Sequence, residues 1–338
     1  MQFTTRLTNN LDQLTFPLPV CGAIPWESVP AGDGATGSVW RTVVNVSGVP
    51  VQHIVVPSFA CFAPGYQYQW SLCCPERAET STLTPVVSAG VDPWQGFTAP
   101  TLSTKRMLSK IDCWHTASDG LDLQAELVLY LPESVTPPET DLLTLSIRPI
   151  DQDAGSIGLP TEAVVLKPPC PVSQMQAPSE IAKRICSPTA TAMAVGGKDA
   201  ATLWPDAVTG CYDPNTEAYG KWPLAVYWAS QQQRLGAVEA LAGWKDAETV
   251  LGSGAPIVCS IRFAKDTLPG APLAQSGGHL VVLYGIEFEQ NEGFALVMDP
   301  AGDTADHVTQ RYPLQAFSDA WLSHRGGAYV FGSETLCP

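Results

Sequence analysis

Four prolines fall within residues 160 to 174, PTEAVVLKPPCPVSQ, and no regular helix can run through them. Proline lacks a backbone N–H and pushes the residue before it toward extended conformations, so the stretch predicts an extended connection. The hydrophobic pattern differs on its two sides. Before it, apolar and polar residues alternate in SVWRTVVNV (38–46), VQHIVVP (51–57), YQYQWSL (66–72), LDLQAELVLYL (121–131) and LLTLSIRPI (142–150), with Gly, Pro, Ser and Asp clusters between the runs. Short alternating runs with that punctuation predict antiparallel strands, and residues 1–160 are expected to form an all-β, sandwich-like domain.

After the prolines, helical periodicity appears at 188–195, 223–233, 246–251 and 313–323. Strand-like runs stand at 255–263, 279–288 and 293–300, the last two joined by EQNE and therefore expected as a hairpin. Residues 161–338 are expected to form an α+β domain with an antiparallel sheet. A chain of 338 residues is long enough for both units.

Charge and cysteine usage narrow the function classes. A formal charge of −15 with 18 scattered Lys and Arg disfavours nucleic acid, whose phosphates need a basic patch. No apolar run is long enough to span a bilayer, so no membrane partner is expected. The N-terminus MQFTTRLTNNLDQLTFPLPV has no apolar signal region, which favours the cytoplasm unless the chain is a trimmed, exported one. The ten cysteines, among them Cys337, show no C-x-x-C pair and no repeated spacing, so they are expected to be reduced and mostly buried. Cys73 and Cys74 should point to opposite faces of a strand.

One cysteine stands out. In RICSPTATAMAVGG (184–197), Cys186 precedes Pro188, which suits the first turn of a helix, and a run of small residues that lets the helix pack closely. Unpaired N–H groups and the positive end of the helix dipole favour a thiolate there, and the same N–H groups can hold an oxyanion. A base is needed, and of the five histidines His279 is best placed. It opens an apolar strand directly after Gly277 and Gly278, where a bare backbone lets a substrate chain approach.

Asp299 ends the partner strand and is the expected orienter of the imidazole, subject to register. With the hairpin turn centred on Gln290 or Asn291, position 299 shares a face with 279. With the turn centred between them, the two side chains face opposite ways unless a bulge intervenes. Upstream of the cysteine, VSQMQ offers Gln174 and Gln176 as oxyanion donors. His307 is the next candidate for the base.

These residues give the second half a resemblance to the C39-like branch of the papain-type cysteine peptidases, a family common in bacteria. The likeness covers about 168–335 and rests on CSPT, on GGHL with a following Gly, on the DP at 299–300, and on the aromatic-rich YPLQAFSDAWLSHRGGAYV (312–330). GCYDP (210–214), GKWPLAVYWAS (220–230) and SGAPIVCSIRF (253–263) fit as well, while Lys221 and Ala225 stand where the resemblance implies amide residues. It implies a papain-like fold, with Cys186 as nucleophile, His279 as general base, Asp299 as orienter and Gln174 as oxyanion donor. Gly277, Gly278 and Trp222 would border the substrate groove.

The expected activity is hydrolysis of a peptide or amide through an acyl-enzyme. Acyl transfer by the same chemistry and a catalytically inactive binding protein on the same fold are the alternatives. No cofactor is expected. DPAGDTADH (299–307) gathers Asp299, Asp303, Asp306 and His307 but lacks the EF-hand spacing, and VGGKDA (195–200) lacks that of a P-loop, so no metal or nucleotide site is read into either.

Overall fold

The computed structural model describes residues 1–10, 15–32, 36–132, 136–137 and 140–332, so Cys337 lies outside the described residues. Strand Leu121–Leu131 buries every odd residue and leaves the even ones exposed or half-buried, as its alternation requires. It belongs to a five-stranded antiparallel sheet with Glu27–Val29, Ser38–Val49, Gln67–Cys74 and Glu79–Thr82. A second five-stranded antiparallel sheet runs Phe3–Leu7, Asp141–Pro149, His53–Cys61, Trp114–Thr116, Met107–Ser109. Cys74 is buried and Cys73 only half-buried, as neighbours on a strand should be.

The central strand of the second sheet, His53–Cys61, is buried on both faces. Its odd side meets the first sheet, where Phe59 packs edge-on against Tyr68 at 5.5 Å between ring centroids. Its even side meets strand Gly236–Ala240 of the second half. There Ser58 Oγ accepts the Val238 N–H, and Ser146 Oγ of the neighbouring strand accepts that of Ala240. The buried Arg6 guanidinium also reaches across, donating to both oxygens of Glu239 at 2.7 and 2.6 Å. One apolar cluster consequently runs from Ile24 to Phe331, through both halves of the chain.

In the second half, helices α1 (Cys186–Gly196), α2 (Ala200–Gly210), α3 (Trp222–Gln231), α4 (Trp244–Gly252) and α5 (Leu314–Trp321) surround an antiparallel sheet. Its order is Gly236–Ala240, Gly327–Phe331, Ile257–Phe263, Ser276–Glu289, Glu292–Met298, Thr309–Pro313. Val258, Leu280 and Val282 join the cluster containing α1 and α3, while Ile257, Cys259, Val281 and Leu283 join the one containing α4 and α5. The sheet is therefore covered on both faces. The proline-rich connection is extended as expected, and its Val164–Val165 pairs with Ile286 and Gly285 at the end of the longest strand. Gly285 lets the two backbones approach closely there, since a Cβ would stand a tight 3.0 Å from the Val164 carbonyl oxygen.

Helices α1, α3, α4 and α5 and the three second-half strands read from the sequence lie within a few residues of their expected positions. Helix α2 was not anticipated: Pro205 lies inside it and only Ala200 and Ala207 are buried, which leaves little apolar pattern to read. Among the described residues no helix is long and apolar enough to cross a membrane, and all nine described cysteines are unbridged.

Candidate active site

Helix α1 begins at Cys186 with no side-chain cap at Ile185, so its first N–H groups are left to other partners. The helix is buried on nearly all sides, Ser187 to Val195 without a break. Thr189 and Thr191 satisfy their hydroxyls within the helix, on the Ile185 and Ser187 carbonyls. Ser187 hydrogen-bonds the Tyr329 hydroxyl at 2.9 Å, fixing the start of the helix to the sheet. Cys186 itself is half-buried.

The hairpin decides the relation of His279 to Asp299. Its turn falls between Gln290 and Asn291, since Glu289 pairs with Glu292 and both central residues have positive φ, 51° and 69°. Continued unchanged, that register would turn Asp299 away from His279. A β-bulge at Tyr284 prevents this: the register shifts between Leu283 and Gly285, so that Leu283 pairs with Val297 and Val282 with Met298. The next step sets Asp299 opposite Val281, on the face that carries His279.

The result is a 2.7 Å hydrogen bond from His279 Nε2 to Asp299 Oδ1, with both side chains buried. The Ala301 N–H donates to the same oxygen at 2.9 Å. The Tyr312 hydroxyl donates to Oδ2 at 2.7 Å. With Nε2 engaged, the imidazole has Nδ1 left for the thiol, and the Cys186 and His279 side chains lie close enough for each to shift the pKa of the other. The backbone N–H groups of Leu280 and Ser187 also lie near the sulfur and favour its charged form.

The electrostatics follow from this wiring. Burial alone would raise the Cys186 pKa, but the neighbouring His279 and its charge, with the two N–H groups, bring it below that of an ordinary thiol. Burial would lower that of His279, yet the Asp299 carboxylate and the sulfur raise it to about 10. Asp299 is also buried, and the imidazolium, Tyr312 and the Ala301 N–H hold it below the usual carboxylate range. The site favours a thiolate–imidazolium pair. Cys61, Cys113, Cys211 and Cys259 are pushed up by burial and stay protonated.

Gln174 opens a short turn capped by Ser173, and its N–H bonds the Pro300 carbonyl directly after Asp299. Its side chain is buried, with Nε2 donating to the Ala182 carbonyl at 2.6 Å and Oε1 without a hydrogen-bond partner. Gln176 is exposed. Gly277 and Gly278 are also exposed, with open space where a Cβ would be. Trp222 is 7% exposed, and its ring packs against Gly327 with Arg325 over it. Lys221 forms an ion pair with Asp213, and Ala225 is buried in α3. Asp303, Asp306 and His307 are exposed, apart from the buried Asp299.

Sequence reasoning did not find Tyr312 or the Leu280 N–H as parts of this cluster. Tyr312 lies in the aromatic-rich tail, but its meeting with Asp299 depends on strand Thr309–Pro313 pairing with Glu292–Met298, a register that no local motif specifies.

Residues 170–329 match the model described as the Peptidase_C39 like family. No curated protein matches the chain. Among solved structures, procathepsin L 3 from the larval midgut of Tenebrio molitor is similar at 11% identity and a TM-score of 0.33, over 54% of this chain and 74% of that one.

Proposed function

We propose that this chain, C39-like over residues 170–329, is a cysteine peptidase or amide hydrolase that works through Cys186, His279 and Asp299 and an acyl-enzyme. The observation that carries the reading is the buried, hydrogen-bonded series His279–Asp299–Tyr312 with the Cys186 thiol beside the imidazole. The thiolate attacks the carbonyl carbon of a peptide or amide, forming a C–S bond and an oxyanion. The Cys186 N–H at the start of α1 and the second Nε2 hydrogen of Gln174 are the donors we assign to that oxyanion.

His279 gives its proton to the leaving nitrogen as the C–N bond breaks. Water then attacks the thioester with His279 as base, and the acid leaves with the thiol restored. Asp299 keeps the imidazole in place and stabilises its charged form, while Tyr312 and the Ala301 N–H hold Asp299. In this reading residues 161–338 form the papain-like catalytic domain and residues 1–160 a sandwich-like accessory domain. The buried contacts of Arg6, Ser58 and Ser146 with Gly236–Ala240 support its docking as a fixed partner.

The test combines labelling with turnover. After brief iodoacetamide treatment near neutral pH, peptide mapping should find Cys186 modified well ahead of the other nine cysteines. A library of fluorogenic peptide amides should yield amine release that Cys186→Ala abolishes without lowering the melting temperature. Uniform labelling, together with turnover surviving in Cys186→Ala, would overturn the proposal.

A further inference from the structure

Helix α3 starts without a cap of its own. Lys221 before it carries no oxygen that could accept, and Pro223 has no N–H, so the Trp222 N–H is the donor that needs a partner from elsewhere. The first half supplies it. Asp112 Oδ2 accepts that N–H at 2.7 Å, and Asp112 is only 9% exposed.

A strained turn aims this carboxylate. Ile111 has φ at 68° and is 67% exposed, and the Asp112 N–H returns to the Lys110 carbonyl at 2.8 Å. A β-branched residue in the left-handed region is a backbone outlier, and the exposed Ile111 side chain gains no burial in return. Strain of this kind gathers where a fold holds a functional group in place.

The first half also reaches the ring of Trp222. Arg325 lies over that ring at 5.7 Å, and its own N–H donates to the Ile150 carbonyl at 2.6 Å. The Gln152 N–H on the Ser323 carbonyl and the buried Arg148 guanidinium on the Leu322 carbonyl fix the same turn. Backbone and ring of Trp222 therefore both depend on residues 110–152.

Trp222 stands at one end of a short row that has the thiol at its other end. A Cβ at Gly327 would lie 3.1 Å from the Trp222 ring and 3.3 Å from the Ser260 Cβ. Ser260 in turn pairs with Leu280, whose N–H lies near the Cys186 sulfur. Neighbouring strands are about 4.8 Å apart, so this row of three sets the ring roughly 10 Å from the sulfur. An extended substrate advances roughly 3.4 Å per residue and meets the ring within about three residues of the bond under attack.

We propose that Asp112 is a positioning residue for the reaction: by holding the Trp222 N–H it fixes the ring as a wall against which substrate packs. The first half thereby sets substrate binding at a site whose reacting groups all lie in the second. This role rests on the peptidase reading, and the two fail separately.

Two reagents probe Cys186 with and without the wall. Iodoacetamide is too short to reach Trp222, whereas benzyloxycarbonyl-Ala-Ala chloromethyl ketone extends along the substrate path. In the full chain, Asp112→Ala should slow alkylation by the ketone about tenfold and that by iodoacetamide less than about twofold. Asp112→Asn keeps an acceptor and should retain the wild-type ratio. Trp222→Ala should slow the ketone equally, and adding Asp112→Ala to it should slow it no further. On a fluorogenic peptide amide, Asp112→Ala should raise KM about tenfold and change kcat less than about twofold.

If iodoacetamide does not single out Cys186 in wild type, the peptidase reading falls and this role with it. Selective labelling of Cys186 with an unchanged reagent ratio in Asp112→Ala overturns the role of Asp112 alone. So does an Asp112→Asn variant that stays slow, or a double variant whose losses multiply. If Asp112→Ala does not fold, Arg325→Ala, which uncovers the ring, decides by the same ratio: a selective loss with the ketone upholds the wall and an unchanged ratio refutes it.

Discussion

Replacing Asp299 by Asn removes one charge and almost no shape. Asp299 Oδ1 accepts from His279 Nε2 and from the Ala301 N–H, and an Asn carbonyl oxygen in that position keeps both bonds. The amide nitrogen then faces the Tyr312 hydroxyl, which must turn from donor to acceptor. What disappears is the charge assistance of a buried bond. Hydrogen bonds to charged groups contribute roughly 1.5–3 kcal/mol against roughly 0.5–1.5 for neutral ones. A difference of about 1–2 kcal/mol in stabilising the imidazolium corresponds to a loss of roughly 5- to 30-fold in kcat/KM near neutral pH.

The pH profile should show the same cause. The wild-type His279 pKa is raised to about 10 and that of Cys186 is lowered, so the ion pair is present between the two values and disappears as pH rises through the upper one. Without the Asp299 charge, the upper limb of kcat/KM should move to lower pH by about one unit or more. The assay is kcat/KM on a fluorogenic peptide amide across the pH range, with circular dichroism to verify the fold. A variant that loses rate while its alkaline limb stays in place would refute the electrostatic account of Asp299.

Two further expectations concern the junction of the halves. Burial raises the Asp112 carboxyl from 3.8 to about 6, so this group favours the folded state most below the lower value. Its contribution declines as pH rises between the two, by about 3 kcal/mol in all. Asp112→Asn keeps an acceptor for the Trp222 N–H, so urea unfolding should show it more stable than wild type above pH 6 and similar below 3.8. Arg6→Ala leaves the Glu239 carboxylate buried and unpaired, and should cost about 3–5 kcal/mol, whereas the double change Arg6→Met with Glu239→Leu should recover most of it. Full stability in Arg6→Ala would mean that water reaches Glu239.

Long strands were legible even where both faces are covered, as in His53–Cys61, whereas short strands buried on both faces were not. Leu121–Leu131 alternates and is bounded as its sequence suggests, whereas Gly236–Ala240 and Gly327–Phe331 are buried at every position and offer neither alternation nor length. Cys186 and His279 were readable for a related reason. Each sits where a regular element starts, and Pro188 and the Gly277–Gly278 pair announce those starts in the sequence.

Asp299 was readable only conditionally, and the condition is a matter of counting. A two-residue turn between Gln290 and Asn291 separates positions 279 and 299 by parity, and one extra residue on one strand restores it. That residue is Tyr284, next to Gly285, the position at which Val164–Val165 joins the sheet. The extended proline-rich connection thus packs beside the bulge on which the His279–Asp299 bond depends. A substitution at Gly285 should therefore do more than crowd the Val164 carbonyl. Gly285→Val should disturb the bulge and turn Asp299 off the face of His279, acting on the candidate catalytic pair through a residue that touches neither member.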